Sequence, residues 1–482
     1  MTIRLSSSSD LNLDTFRRAT WGGEEVQVEP VLVEQLEVWR AQFLDAVAQH
    51  PDTPVYGVNV GAGDGSSRFL DDDQRVSYAT GLNSATSFGA ALPDRVVRGI
   101  VFARLGSFTD GSAAVTAELA EHVAGMLSSD LPRVPKEATA GSGEILPLGH
   151  LFSGVPAALP LGPKESMALV NGAPCAAALT ADIAIRSRAL LDVTQLVFAL
   201  AVDALDSPSA HFDEALGGLW TAPSEIATLR LMRDLLSSDR PRRTHQARVS
   251  VRILTRVLAA AQDAVVYAEQ VADQSLAHPG DNPSFVPATP SSSARIVSNG
   301  GFHNHRAVVA LDMVTRTTTD LVQLGQHLLH AIYLDPEVLP RQDNLALGIS
   351  YMAAAGWSED ARLLAAPSIL SFAAVGQNDV PNPLFAAWRK ADGVQSCLVG
   401  QLSLLAAIAS QSFVVTGRAP ATALGSTLEF VQASFPPVEQ RRDIGVDLDR
   451  LSAAVTQQLH HRCCGQPEPD SAPPAQHRSW LR

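Results

Sequence analysis

The sequence predicts an all-α protein built around long helices, and three observations favour this fold class. Four segments rich in Ala, Leu and Val have the proline-free interiors of helices: 177–206, 223–236, 248–274 and 306–333. Three of them far exceed the average helix of about 12 residues. The chain is also 482 residues long and 46% hydrophobic, which is enough to form a large core. Together these features are typical of a long-helix bundle.

The first third of the chain combines shorter helices with a glycine-rich loop. Residues 31–49 place apolar side chains at helical spacing, and helical patterns return at 94–105 and 112–128. Between them, residues 55–67 contain Gly61-x-Gly63-x-Gly65. A nucleotide-binding turn needs a strand before it and a helix after it, and that pattern is weak here. We therefore interpret 55–67 as a functional surface loop.

Composition restricts the partners and the compartment. The formal net charge of −14, from 36 basic and 50 acidic residues, argues against a nucleic-acid partner. Residues 396–417 carry no charge over a length that could cross a bilayer, but Gln401 and Gln411 favour a helix buried in a bundle. We therefore expect no membrane partner. Four cysteines form no disulfide framework and the start of the chain lacks an apolar signal core, so we expect a cytoplasmic protein.

The predicted organisation has four parts. Residues 1–20 are Ser-rich and are expected to be a loose lead-in, and 21–175 form an N-terminal lobe. The helix bundle follows at 176–459, and a Pro-rich, polar tail at 460–482 is expected to be disordered. His460, His461, Cys463 and Cys464 in this tail have a spacing that fits no common metal site, so we expect no metal.

The tripeptide Gly141-Ser142-Gly143 is the candidate reactive element. Glycine has no Cβ, so this stretch can turn tightly enough for the Gly143 amide nitrogen to approach the Gly141 carbonyl carbon. Ring closure, dehydration and loss of the Ser142 hydroxyl would give a five-membered ring with an exocyclic methylene, which is an electrophile. On its own, Gly-Ser-Gly is far more often a plain flexible turn. The rest of the sequence is therefore needed to distinguish a reactive tripeptide from a flexible turn.

Several separated stretches resemble, in order, the aromatic amino acid lyase family of histidine, phenylalanine and tyrosine ammonia-lyases and aminomutases. The resemblance covers roughly residues 15–390. It rests on Val55-Tyr56-Gly57-Val58-Asn59-Val60-Gly61, Leu92-Pro93, Gly141-Ser142-Gly143 with the following Leu-Pro-Leu-Gly-His-Leu, Pro163-Lys164-Glu165, Val170-Asn171-Gly172, Asp281-Asn282-Pro283, Gly300-Gly301-Phe302-His303 and Gln377-Asn378-Asp379-Val380.

This resemblance implies a fold and a cofactor. The fold is the ammonia-lyase-like (fumarase/aspartase-like) all-α one, with a long central helix bundle and an N-terminal lobe carrying the catalytic loop. The cofactor is 4-methylidene-imidazol-5-one, formed autocatalytically from Gly141, Ser142 and Gly143. The resemblance also implies a homotetramer whose active sites combine residues of different subunits.

The resemblance assigns a role to further residues. It makes Tyr56 the general base that removes a β-proton; the alternative is that Tyr56 is an ordinary surface aromatic residue. It places Asn171 against the prosthetic group or the substrate amine; the alternative is that Asn171 is a turn residue in the left-handed conformation. Arg252 falls where the family binds the substrate carboxylate, which suits a bidentate guanidinium; a solvated arginine is the alternative. Gln246 falls on a neighbouring family glutamine, and Phe302 would line the pocket beside the ring or simply pack there.

The departures from the family pattern are also informative. Gly141 replaces the usual alanine, which loosens the turn and raises the entropy cost of cyclisation. Val249 stands where the family has a second catalytic tyrosine, and Asn378 where relatives have an acid or glutamine. Asn83 and Ser84 occupy the pair that sets aromatic-ring choice in relatives. These substitutions predict a substrate pocket different from those of histidine, phenylalanine or tyrosine enzymes.

The resulting function prediction is elimination of ammonia from an aromatic or related α-amino acid. One alternative is an aminomutase, in which ammonia re-adds at the β-carbon. The other is a divergent homologue that has lost elimination chemistry and binds a ligand or runs another reaction in the same cavity.

Overall fold

The computed structural model describes residues 2–80, 85–340, 347–371 and 376–465. Helices take 62% of the residues and strands 5%, so the predicted all-α class is confirmed. The helices are α1 (Leu13–Thr20), α2 (Pro30–Gln49), α3 (Asp72–Thr80), α4 (Asp94–Thr109), α5 (Ala117–Met126), α6 (Ile145–Phe152), α7 (Val155–Ala158), α8 (Glu165–Val170), α9 (Pro174–Ala204), α10 (Pro223–Leu235), α11 (Val249–Arg252), α12 (Leu254–Ala277), α13 (His305–Tyr333), α14 (Ser350–Leu364), α15 (Leu384–Thr416), α16 (Gly425–Ser434) and α17 (Gly445–Cys464).

Two short sheets accompany the helices. Strand β1 (Thr2–Leu5) pairs in parallel with β2 (Glu25–Val28), in the register Ile3 to Val26. Strands β3 (Ser284–Val286) and β4 (Arg295–Val297) pair antiparallel, with Phe285 opposite Ile296. The second sheet lies between α12 and α13, in a segment that contains four prolines at 279–290.

The chain forms two compact units whose segments interleave. Unit 1 comprises Met1–Ala184, Ala268–Leu311 and Pro367–Arg389, and unit 2 comprises Ile185–Tyr267, Asp312–Ala366 and Lys390–Arg482. Four of the five dividing points fall within the longest helices, α9, α12, α13 and α15, and the fifth follows α14. The boundaries predicted in chain order, 21–175 and 176–459, stay a prediction.

Unit 2 is built on one continuous apolar core. Most of its members come from the unit 2 portions of α9, α12, α13 and α15, and others come from α10, α14, α16 and α17. Phe198, Leu328 and Leu405 are fully buried there. Helices this long are stable because each buries an apolar face against its neighbours rather than through propensity alone.

In unit 1 the other elements pack around α4, whose residues from Val96 to Thr109 are almost all buried. Phe16 of α1 meets Phe102 of α4 edge to face, with ring centroids 6.0 Å apart. A Cβ on Gly99 would lie 2.7 Å from the Phe16 ring, so the glycine is what allows α1 and α4 to approach this closely.

The expectation of a loose lead-in over residues 1–20 is wrong. Ile3 and Leu5 of β1 are buried, as are Leu11 and Phe16. Asn12 caps α1 by accepting a hydrogen bond from the Thr15 N–H over 3.1 Å. The serines that suggested disorder lie in turns between these buried anchors.

Most predicted helices are found, with instructive shifts at their ends. Residues 31–49 correspond to α2 and residues 223–236 to α10, both of which begin at a proline in the first helical position. The segment 248–274 is instead divided into α11 and α12 by a turn at Ile253. The segment 112–128 becomes helical only at Ala117, because Thr116 caps α5 through a 3.2 Å bond from the Leu119 N–H.

Two helical stretches are long and apolar enough to cross a membrane by length and composition. They are Glu165–Ala204, whose apolar window is 100% buried inside the protein, and Leu384–Thr416, whose window is 78% buried. Burial of this extent is what the core helix of a bundle has, which favours the interpretation given above for residues 396–417.

At the end of the described chain, α17 continues to Cys464 and ends at Gly465, which has a φ of +68°. The start of the expected disordered tail is therefore helical, and 466–482 lie outside the described residues. Within the described parts of the chain, no group of three or more His, Cys, Asp or Glu residues is placed to hold a metal ion.

Candidate active site

The loop that carries Tyr56 is held in shape by Asn59. The Asn59 side-chain oxygen accepts the Val55 N–H over 2.6 Å, and its amide donates to the Thr53 carbonyl over 2.8 Å. Gly57 has a φ of +67°, a conformation that a residue with a side chain rarely adopts. This short glycine- and asparagine-rich sequence thus folds into a fixed turn, which sets the position of the Tyr56 ring.

The phenolic oxygen of Tyr56 accepts a hydrogen bond of 2.9 Å from the main-chain N–H of Gly63. Asn378 lies against the same glycine, since its side-chain nitrogen is 3.8 Å from the position of a Cβ on Gly63. Its neighbour Gln377 accepts from the Ser66 hydroxyl over 3.2 Å. The segment around residue 378 is therefore packed against the Tyr56 loop.

The same segment reaches the Gly-Ser-Gly tripeptide four residues later. The main-chain N–H of Asn382 donates to the Gly141 carbonyl oxygen over 2.7 Å. Phe302 flanks the other end, with its Cβ and Cδ2 each 3.6 Å from the position of a Cβ on Gly143. The Ser142 hydroxyl is buried between them and has no hydrogen-bond partner among the described residues.

Glu144, which follows the tripeptide directly, is anchored to the start of α9. Its carboxylate accepts the N–H groups of Cys175 over 2.6 Å and of Ala176 over 2.9 Å. A carboxylate at a helix N-terminus satisfies donors that the helix leaves unpaired. Burial nevertheless raises the pKa of Glu144 to about 7, because desolvation outweighs these hydrogen bonds.

Asn171 lies at the end of α8 and is connected to the Tyr56 loop through Met167. Its amide donates to the Met167 sulfur over 3.5 Å, and the Met167 methyl group packs against Gly57, 2.5 Å from where a Cβ would be. The left-handed alternative for Asn171 is wrong: its φ is −105°, and Gly172 has the positive φ of +93° instead.

Arg104 holds the main chain at Asn171 in place. This arginine is fully buried in α4 and donates to the Asn171 carbonyl oxygen and, over 3.5 Å, to that of Gly280. Burial lowers the pKa of Arg104, while Asp281 and Glu144 oppose that shift. A buried guanidinium that donates to these two carbonyl oxygens fixes the backbone at Asn171 and at Gly280.

Lys164 and Asp281 form a fully buried ion pair in the same unit. Their Nζ and Oδ2 atoms are 2.5 Å apart, and both side chains are 0% exposed. Lys164 also donates to the Ala113 carbonyl over 2.9 Å. The lysine of the Pro-Lys-Glu stretch and the aspartate of Asp-Asn-Pro thus connect two stretches on which the resemblance rested.

The remaining predicted residues divide into two sets. Gln246, Val249 and Arg252 lie in unit 2 at the start of α11, and all three are exposed in the single chain. The Arg252 Nε atom donates to the Ala247 carbonyl over 3.1 Å, so the side chain is oriented rather than loosely solvated. Asn83 and Ser84 lie outside the described residues.

Unit 1 therefore links the segments that carry Tyr56, Asn171, Phe302, Asn378 and the tripeptide through a series of contacts, several of them made by intervening residues. Sequence reasoning missed the supporting groups. Glu144 was visible as the acid after the tripeptide, and Arg104, Lys164 and Asp281 as charged residues within apolar or matched stretches. The Asn382 N–H is a main-chain group and has no sequence signal.

Solved structures share this fold. An ergothionase from Treponema denticola, described as an ergothioneine degrading enzyme, superposes with a TM-score of 0.85 at 19% identity, covering 95% of this chain and 99% of that one. A tyrosine aminomutase from Streptomyces globisporus superposes with a TM-score of 0.83 at 21% identity, covering 96% and 98%. At these identities the likeness establishes the fold alone.

The family follows from sequence. The chain matches the family model for aromatic amino acid lyases over residues 11–156 and 154–429, which is well over half of its length. It belongs to the aromatic amino acid lyase family. A histidine ammonia-lyase from Deinococcus radiodurans is 29% identical over 351 residues, and the matched stretch spans 66% of this chain and 66% of that relative, just under two thirds of its length.

Proposed function

We propose that this protein is an ammonia-lyase-type enzyme that eliminates ammonia from an aromatic or related α-amino acid. The single observation that supports this most is the surroundings of Ser142. Its hydroxyl is buried without a partner, between a glycine whose carbonyl oxygen accepts an N–H and a glycine that faces an aromatic ring. A plain flexible turn would leave that hydroxyl in water, where it costs nothing.

The residues present fit the methylidene-imidazolone group. Its formation removes the Ser142 hydroxyl, and no hydrogen bond to a described residue opposes that loss. Gly141 and Gly143 contribute only main-chain atoms to the ring, so glycine in the first position does not forbid it. Before ring closure the Asn382 N–H would hold the Gly141 carbonyl oxygen, which leaves as the other of the two waters, and Phe302 would cover the third residue of the tripeptide.

When formed, the group supplies an electrophilic carbon for the substrate amine. Tyr56 removes the β-proton at its phenolic oxygen, which the Gly63 N–H orients. Asn171, fixed by Arg104 and Met167, offers its side-chain amide to the substrate amine or the prosthetic group. The Arg252 guanidinium binds the α-carboxylate through its two terminal nitrogens.

The proposed assembly is a homotetramer with composite active sites. Gln246, Val249 and Arg252 are exposed in the single chain, as residues that complete a neighbouring subunit's site would be. Val249 and Ile253 are large apolar side chains that are 57% and 40% exposed, a pattern typical of a surface covered on assembly. No disulfide joins the cysteines of the described residues, which fits the reducing cytoplasm that we propose as its compartment.

An aminomutase reaction on the same scaffold is the second candidate. The likeness in fold to a tyrosine aminomutase keeps it open. Incubation with single aromatic amino acids separates the two: a lyase yields an α,β-unsaturated acid and free ammonia, and a mutase yields a β-amino acid.

A divergent homologue without elimination chemistry is the third candidate. It is favoured by Val249, which has neither a proton to give nor a lone pair and is 57% exposed. The test is release of ammonia from a panel of aromatic amino acids and their ring-modified derivatives. Ammonia from one of them, abolished by Ser142→Ala, supports the lyase; no ammonia and no β-amino acid from folded protein whose intact mass equals that of the translated sequence supports the third candidate.

A further inference from the structure

Both polar main-chain atoms of Ala247 are engaged by side chains. The Ala247 N–H donates to Nε2 of His211 over 3.1 Å, and its carbonyl accepts from Nε of Arg252 over 3.1 Å. Ala247 itself is buried, whereas the residues on either side of it are exposed. The main chain of one buried residue therefore connects the imidazole of His211 to the guanidinium of Arg252.

The connection defines the state of both side chains. Nε2 can accept a hydrogen bond only when it carries no proton, so His211 acts here as the neutral Nδ1–H tautomer. The Nε atom of Arg252 is used by Ala247, and its two terminal nitrogens have no hydrogen-bond partner among the described residues. The planar end of the guanidinium is thus presented for a bidentate partner such as a carboxylate.

We propose that His211 is a positioning residue that holds Arg252 in its carboxylate-binding orientation through Ala247. This rests on the proposed function, in which Arg252 binds the substrate carboxylate. His211 lies in the short 3-10 turn Ser209–Phe212, about 40 residues before Arg252 in the sequence. Removing its acceptor frees the segment that carries Gln246 and the first turn of α11.

The arrangement is sensitive to pH. Burial lowers the pKa of His211. Two charged or titratable side chains, Arg252 from α11 and His245 from the loop before it, lower that pKa further. The neutral acceptor is therefore kept above that pKa and lost as the pH falls through it. Protonation would also add a positive charge beside Arg252, which weakens the hold on Ala247.

Two variants separate the acceptor from the bulk of the ring. His211→Gln retains a neutral acceptor that does not titrate, and His211→Leu has none. His245→Gln is the matched control, because it removes the neighbouring histidine and leaves the Ala247 bond intact. Hydrogen–deuterium exchange of the peptide spanning 244–251 is measured on the assembled protein near pH 8 and at a series of lower pH values, with each variant compared with wild type at the same pH.

We expect His211→Leu to exchange about 10-fold faster than wild type near pH 8, and His211→Gln to match wild type. As the pH falls through the lowered pKa of His211, wild type and His245→Gln should approach His211→Leu, while His211→Gln stays protected. Equal protection of His211→Leu and wild type at every pH would overturn the proposal, and so would identical pH dependence of wild type and His211→Gln.

A binding experiment tests whether His211 affects carboxylate binding by Arg252. The probes are cinnamate and its neutral amide, measured by calorimetry near pH 8. His211→Leu should weaken cinnamate about 10-fold and leave the amide unchanged, and His211→Gln should restore cinnamate binding. Equal weakening of both probes would overturn the carboxylate role. If wild type binds neither probe, the proposed function loses support, whereas the exchange experiment still decides the positioning role.

Discussion

The main-chain N–H of Gly63 donates a 2.9 Å hydrogen bond to the phenolic oxygen of Tyr56. A donor facing this oxygen stabilises negative charge on it, which is the form that a tyrosine needs in order to accept a proton. The bond also fixes the ring on a loop whose shape depends on Asn59 and on the positive φ of Gly57.

Tyr56→Phe removes the proton acceptor without removing the ring. We expect turnover to fall by about 10²–10⁴-fold with little change in thermal stability. The matched control is Tyr78→Phe, since the Tyr78 hydroxyl accepts only a long 3.4 Å bond from Ala62 on the same loop. Steady-state release of ammonia measures both variants, and equal activity of Tyr56→Phe and wild type would remove Tyr56 from the mechanism.

Composite active sites predict complementation between inactive variants. Tyr56→Phe and Arg252→Gln each disable one contribution to every site in a pure tetramer. When the two are co-expressed with different tags and purified through both, about a quarter of the sites receive both intact residues if these come from different subunits. We expect activity to return to that order. A doubly tagged Tyr56→Phe tetramer is the control, and a mixed tetramer as inactive as that control would place both residues in one subunit.

Glu144 predicts a pH dependence of stability. Burial raises its pKa from 4.5 to about 7, so the folded state binds the proton more tightly than the unfolded chain does. The stability that this proton confers is fully present below pH 4.5 and is lost as the pH rises through about 7. Glu144→Gln should therefore show a flatter melting temperature between pH 4.5 and 8 than wild type.

The Gln variant keeps one acceptor for the two N–H groups, so its stability at low pH should be lower by about 1 kcal/mol. Glu118→Gln, at an exposed position of α5, serves as the control and should follow wild type throughout. Parallel curves for Glu144→Gln and wild type across this range would show that Glu144 does not titrate there.

The Lys164–Asp281 pair predicts a large cost for losing one partner. Lys164→Met leaves a fully buried carboxylate without its cation, and we expect the free energy of unfolding to fall by about 3–5 kcal/mol. Lys390→Met is the control, because its pair with Asp312 is 3.1 Å long with side chains 17% and 23% exposed. That variant should lose about 1 kcal/mol. Urea denaturation measures both, and equal losses would contradict the role of burial.

The sequence predicted those features that depend on local pattern. The helical segments predicted at 31–49 and 223–236 correspond to α2 and α10, and the all-α class and the family were both confirmed. It did not predict the pairing of β1 with β2, because that register depends on residues 23 positions apart. The division of α11 from α12 at Ile253 was also missed, since no proline or glycine marks it.

For the candidate site, residue types were predictable and their supports were not. Tyr56, Asn171 and Phe302 belong to recognisable stretches, whereas the N–H groups of Gly63 and Asn382 are main-chain donors that any residue could supply. Arg104 is a charged residue in an apolar helix. Its hydrogen bonds to the carbonyl oxygens of Asn171 and Gly280 help to explain its complete burial, and the sequence does not reveal them.

The intact mass of the purified, assembled protein tests the central claim most directly. Formation of the ring from Gly141, Ser142 and Gly143 removes two molecules of water, so we predict a mass lower than the translated sequence by that amount. Ser142→Ala should keep its full translated mass and release no ammonia. A wild-type mass equal to that of the translated sequence, in correctly folded protein, would contradict the account.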